Sequence, residues 1–168
     1  MTERDRELAA EILAVARARD ATIATAESCT GGLVGAALTA IPGSSDIFDR
    51  GFVTYSYAAK SDLLRVPSAM LRDHGAVSEP VARQMAEGAL AASYAGFAVA
   101  ITGVAGPGAS ESKPEGLVWF ATAGPLGTEA EVRRFGALGR DRVRGESVTV
   151  ALALLLARLR NDPQAVAP

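Results

Sequence analysis

Two periods of apolar residues run along this chain, and they divide it into helices and strands. Residues 4–19 place Leu8, Ile12, Val15 and Ala16 on one side at helical spacing, which predicts an amphipathic helix. Ala21–Ala26 is short, small and apolar, and predicts a buried strand. A helix is expected from about Thr30 to Ala40, stopped by Ile41-Pro42-Gly43, with Ser44-Ser45-Asp46 as loop. Phe48–Tyr55 predicts a second strand, and Ala58–Leu64 a short helical segment ending before Pro67. Ser78-Glu79-Pro80 opens another helix, with a serine N-cap and an acid and a proline in the first turn. The apolar face of that helix uses Val81, Met85, Ala89 and Ala92. Phe97–Thr102 predicts a third strand, and Gly103–Glu115 a long loop rich in Gly, Pro and Ser. Leu117–Ala123 and Glu129–Phe135 flank Gly124-Pro125-Leu126-Gly127 as a β-hairpin. Residues 141–160 form a last helix, broadly apolar from Val148 to Leu159, and 161–168 a frayed tail.

Strands alternating with helices, then a hairpin and a helix, predict a three-layer α/β/α sandwich on a mixed, mostly parallel sheet. At 168 residues the chain is read as one domain, residues 1–168. Ligands of such sheets gather beyond the carboxyl ends of the parallel strands. Three segments fall at those ends: 25–32, 53–60 and 102–113.

Composition narrows the function classes. The chain is 49% hydrophobic and 21% charged, suited to burying a core without disulfides or metal. A net charge of −2 argues against nucleic acid or an anionic membrane surface as partner. No apolar run reaches the roughly 18 residues of a membrane span. Cys29 is the only cysteine, and the densely charged Met1–Glu7 is unlike a signal peptide, so a cytoplasmic location is expected. His74 is the only histidine and stands apart from Cys29 in sequence, so no metal site is expected.

The first segment, Thr25-Ala26-Glu27-Ser28-Cys29-Thr30-Gly31-Gly32, crowds a carboxylate, hydroxyls and a thiol into a strand-to-helix turn. Its glycines permit a tight turn and close approach of a ligand, and helix-start N–H groups can face that ligand. Ser28, Cys29, Thr30 and Glu27 all stand as candidates for the chemistry, and a Cys29–His74 thiol pair is formally available. The second segment carries Tyr55 and Lys60. Only Lys60 and Lys113 are lysine among 17 basic residues, and a buried lysine, unlike arginine, can give up its proton near neutrality. The third segment, Thr102 to Lys113, is neither a Walker loop nor a G-x-G-x-x-G turn, yet its amides and hydroxyls can cradle an oxyanion or a phosphate.

These segments, in this order, resemble the CinA C-terminal domain family from about residue 5 to 160. The matching stretches are Ala26–Gly32, Pro42-Gly43-Ser44-Ser45, Val53-Thr54-Tyr55-Ser56 with Lys60, His74–Ser78, Thr102–Pro107, and Lys113-Pro114 with Gly116. The resemblance implies a nicotinamide-nucleotide amidase, hydrolysing the carboxamide of nicotinamide mononucleotide to the acid and ammonia without a cofactor. The family also holds longer proteins with an added N-terminal domain, so a chain this short is expected to be the stand-alone amidase. It implies Ser28 as nucleophile and Lys60 with Tyr55 as proton carriers. The oxyanion would be held by N–H groups near Thr30-Gly31 or from the Thr102–Gly106 loop. The substrate-binding set expected on this basis is Glu27, Thr30, Gly31, Gly32, Thr102, Gly103, Ala105, Gly106, Ser110 and Arg140, with Arg144 as a second cation for the phosphate. A homo-oligomer is also implied. The alternative function is a non-catalytic nucleotide-binding module in a competence or DNA-damage response. The chain departs from the family pattern at Tyr57-Ala58, where Asn-Glu is expected, in a loop from Gly106 to Lys113 one residue shorter, and at Leu138-Gly139-Arg140 in place of Gly-Asp-Arg.

Overall fold

The computed structural model describes residues 1–162. Its elements are α1 (Glu3–Ala18), β1 (Ile23–Glu27), α2 (Leu33–Thr39), β2 (Phe48–Val53), α3 (Tyr57–Leu64), α4 (Ser68–His74), α5 (Glu79–Ala91), β3 (Phe97–Gly103), β4 (Leu117–Gly124), β5 (Gly127–Arg134) and α6 (Arg140–Asn161). The five strands form one sheet in the order β2-β1-β3-β4-β5. β1 pairs in parallel with both β2 and β3, while β3–β4 and β4–β5 are antiparallel. β4 alone therefore runs against the other strands, and the sheet is mixed and mostly parallel.

Side-chain alternation along the strands assigns the layers, because successive residues of a strand point to opposite faces. Ile23, Phe97, Val99, Ile101, Val118 and Phe120 pack with the apolar residues of α1, α2 and α6. The intervening Ala24, Ala26, Ala98, Ala100, Ala121 and Ala123 pack with Val81, Met85 and Ala89 of α5 and with Leu64 and Leu71. One face is thus built of large side chains and the other of alanines. The thin face lets the α3–α5 layer lie close to the sheet. Within that layer the backbones also approach closely: a Cβ added at Gly88 would stand 2.1 Å from the Leu64 carbonyl oxygen. No helix among the described residues is long and apolar enough to cross a membrane.

Several boundaries differ from the sequence reading for identifiable reasons. α2 starts at Leu33 rather than near Thr30, because Gly31 and Gly32 adopt φ of +61° and +98° and prolong the turn. β2 ends at Val53, so Tyr55 lies in the connection to α3. α4 has no counterpart in the sequence reading, which assigns no element between Pro67 and Ser78, although Pro67 and Gly75 bracket a helix. Ser44–Asp46 closes a single 3₁₀ turn. The expected fraying from residue 161 does not occur at Asn161 or Asp162. Asn161 is helical, and the buried Asp162 carboxylate lies 2.8 Å from Arg158 Nε and accepts from Leu126 N–H. The rest of the expected tail, 163–168, lies outside the described residues.

Replacing Gly88 by alanine should destabilise the protein by about 2 kcal/mol, the clash with Leu64 outweighing the gain in helix propensity. Urea unfolding of the variant against the parent measures this.

Candidate active site

The carboxyl ends of β1, β2 and β3 stand side by side, with Glu27 in register with both Val53 and Ile101. The residues that follow each strand therefore meet. Ser28 is fixed by its backbone: its N–H donates to Ile101 O at 2.9 Å and its carbonyl accepts from Gly31 N–H at 3.1 Å. α3 starts at an N-cap, Ser56, whose hydroxyl accepts from Ala59 N–H at 3.1 Å. One turn further on, Lys60 points inward. Its Nζ donates to Ser28 Oγ at 2.9 Å and to Thr54 O at 2.7 Å.

Lys60 is only 1% exposed and has no carboxylate within ion-pair distance among the described residues. Loss of water around the ammonium lowers its pKa from 10.5 to about 8, against smaller upward pulls from Cys29 and Glu111. Burial acts oppositely on Cys29, which is 4% exposed and whose thiol is pushed up to about 12. The two candidate nucleophiles of the turn are thereby separated. Ser28 has a basic nitrogen on its hydroxyl, and Cys29 stays protonated at neutral pH. His74 ends α4, away from Cys29, and lines a different cavity.

Glu27 has a different place from the one its position in the motif indicated. Both carboxylate oxygens turn away from the pocket, accepting N–H bonds from Gly32 (2.9 Å), Val34 (3.1 Å) and Gly35 (2.8 Å). These are the donors that the start of α2 leaves without intrahelical partners, and a carboxylate also suits the positive end of the helix dipole. The α2 donors are consequently spent on Glu27, and the Gly31 N–H on Ser28 O. In contrast, the N–H groups of Cys29 and Thr30 meet no carbonyl among the described residues. Arg144 of α6 fixes that piece of backbone from behind, donating to Cys29 O and Thr30 O, each at 3.1 Å.

A pocket of about 300 Å³ opens over Ser28 and Lys60. Of the expected binding residues, Thr102, Gly103, Ala105, Gly106, Ser110 and Arg140 line it; Glu27, Thr30, Gly31, Gly32 and Arg144 do not. Thr102 spends its hydroxyl proton on Ala76 O at 2.7 Å. Tyr55 lines the pocket, but its phenol accepts from Arg140 at 2.6 Å and bonds neither Ser28 nor Lys60. Arg140 also donates to Gly106 O at 3.0 Å, and Glu115 accepts from Gly108 N–H and Gly139 N–H, so the glycine-rich loop is held to the start of α6. Among the lining residues to which the sequence reading gave no role are Tyr57, Ala76, Val77, Pro107 and Glu111. Tyr57 had a signal, its departure from the family pattern. Ala76, Val77 and Pro107 lie in stretches that match the family and Glu111 in the third candidate segment, but nothing in the sequence marked them individually.

The model of the CinA C-terminal domain matches residues 5–159. The chain belongs to this family. A CinA-like protein of Synechococcus sp. (strain RCC307) is 54% identical over 157 residues, 92% of this chain and 38% of that protein. The chain thus spans less than two fifths of the length of such CinA-like relatives. The nicotinamide-nucleotide amidohydrolase PncC of Escherichia coli (strain K12) is 51% identical over 140 residues, 83% of this chain and 85% of that protein. The crystal structure of the competence/damage inducible protein CihA from Agrobacterium tumefaciens superposes with a TM-score of 0.92 at 47% identity, covering 96% of this chain and 98% of that one. The CinA C-terminal fold described above is therefore shared along almost the whole chain.

Burying Lys60 gives this CinA domain a specific dependence of stability on pH. Below about 8 the folded and unfolded chains both carry the charge, and the burial penalty is present in full. Between about 8 and 10.5 the folded chain has released a proton that the unfolded chain keeps, so stability rises with pH. Relative to Lys60→Met, the parent protein should gain on the order of 3 kcal/mol across that window, read from urea unfolding of both proteins at each pH.

Proposed function

We propose that this chain is an amidase of the serine–lysine type, hydrolysing the carboxamide of a nicotinamide nucleotide to the carboxylate and ammonia. The observation that carries the reading is the 2.9 Å contact between Lys60 Nζ and Ser28 Oγ at the floor of the pocket. The relative named nicotinamide-nucleotide amidohydrolase supplies the substrate class, at 51% identity and with 85% of its length matched.

In the proposed reaction, neutral Lys60 takes the Ser28 proton while Ser28 Oγ attacks the amide carbon. Thr54 O accepts from Nζ and aims it, so the base needs no histidine. The N–H of Cys29, which lines the pocket and meets no carbonyl among the described residues, holds the oxyanion of the tetrahedral intermediate, its backbone backed by Arg144. A donor of this kind is typically worth about 3 kcal/mol of barrier. Lys60 then returns the proton to the departing nitrogen, ammonia leaves, and an ester to Ser28 remains. Water attacks that ester, with Lys60 again taking the proton and finally restoring it to Ser28. Arg140, with Tyr55 bound to it, is the cation of the pocket wall suited to the nucleotide phosphate. Tyr55 thus serves the substrate through Arg140 rather than as a proton carrier.

Incubation with nicotinamide mononucleotide should release ammonia, and Ser28→Ala should abolish the release. Saturable nucleotide binding with no ammonia above the Ser28→Ala level would instead make the chain a binding module. Because the base must be neutral, kcat/KM should climb with pH and level off above a pKa near 8. Cys29→Ala should retain activity within a few-fold, and its loss would move the nucleophile to the thiol.

A further inference from the structure

The turn between Ser110 and Lys113 is held in an unfavourable conformation. Glu111 and Ser112, neither of them glycine, both have positive φ, at +51° and +61°, while Ser110 and Lys113 pair across them. Both lie in the left-handed region, which a side chain disfavours. The turn is held from outside. The Glu111 carboxylate accepts from the Tyr57 hydroxyl and from Ala76 N–H (2.9 Å), and Lys113 Nζ donates to His74 O at 2.7 Å. Burial and the bond to Glu111 raise the Tyr57 pKa, so the phenol keeps the proton it donates.

Tyr57 and Glu111 also have space on both sides of them. They line the pocket over Ser28, and they line a second cavity of about 380 Å³ bordered by Arg72, Asp73, His74 and Lys113. The hydrogen-bonded pair is therefore the partition between the two.

Building on the amidase reading above, we propose that the Tyr57–Glu111 bridge is specificity-determining. It confines the pocket to a single nucleotide, and its removal opens a path into the neighbouring basin for the anionic second half of a dinucleotide. The amide end of any substrate is fixed at Ser28, so whatever extends beyond one nucleotide must leave across the rim. The rim carries two polar latches, Tyr55–Arg140–Gly106 and Tyr57–Glu111–Ala76. Beyond the second lie Arg72 and Lys113, balanced at present by Asp73 and Glu111. Loss of Glu111 both opens the partition and leaves two cations facing one carboxylate, which favours a pyrophosphate.

Binding separates this proposal from the chemistry. In the Ser28→Ala protein, nicotinamide mononucleotide and the dinucleotide containing it are titrated by calorimetry, with and without Tyr57→Ala or Glu111→Ala. The mononucleotide should bind better than the dinucleotide before the wall is cut. Each cut should shift the ratio of dissociation constants toward the dinucleotide by about tenfold or more, the larger shift with Glu111→Ala. An unchanged ratio with mononucleotide binding intact would overturn the proposal and leave the amidase reading standing. A merely loosened pocket would weaken both ligands alike and likewise leave the ratio unchanged, which counts against the wall. If neither nucleotide binds the Ser28→Ala protein, the nucleotide reading fails and the proposal with it. Glu111 sits on a surface loop, so Glu111→Ala keeps the comparison available should Tyr57→Ala fail to fold.

Discussion

The bonds from Glu27 to the start of α2 are the constraint on which the site depends. A helix of seven residues gains little from its own hydrogen bonds, and its first donors need partners. Glu27 supplies them from the last position of β1, accepting three N–H bonds on two buried oxygens. The chain between strand and helix must then loop outward through Ser28–Gly32, and two glycines with positive φ make the loop possible. The buried carboxylate thus presents the neighbouring Ser28 hydroxyl to the pocket. Arg144 holds the same loop from the other side, so its backbone is gripped between α2 and α6.

Lys60 completes the arrangement at an expense to stability. An ammonium buried with two neutral acceptors and, among the described residues, no carboxylate is one that a protein selected for stability alone would replace. The same burial is what lowers its proton affinity into the range where it can serve as a base. Destabilisation and reactivity are two readings of one free-energy difference between charged and neutral amine.

The layers of the fold were legible because apolar periodicity switches cleanly between strand and helix, and because Ile41-Pro42-Gly43 and Ser78-Glu79-Pro80 punctuate the chain. The strand ends meeting around Ser28 and Lys60 followed from the general placement of ligands in such sheets. What the chain did not disclose was direction. Glu27 in a catalytic-looking turn gave no sign that its oxygens face inward, since that depends on α2 starting three residues later than its apolar pattern suggests. Tyr55 adjoins Lys60 in sequence, yet its partner is Arg140, 85 positions away. Tyr57 and Glu111 are separated by 54 positions, and only the folded chain makes them neighbours.

The pocket draws its walls from Ser28, Lys60, Ala76, Thr102, Ser110 and Arg140, which span most of the chain. The lining reaches from the turn after β1 to the first residue of α6, so no short piece of the chain supplies it. Occupancy of the pocket and integrity of the fold are therefore thermodynamically linked. A ligand held at a hundred times its dissociation constant would add about 2.7 kcal/mol to the unfolding free energy of the entire domain, so that a filled pocket protects every layer of the fold.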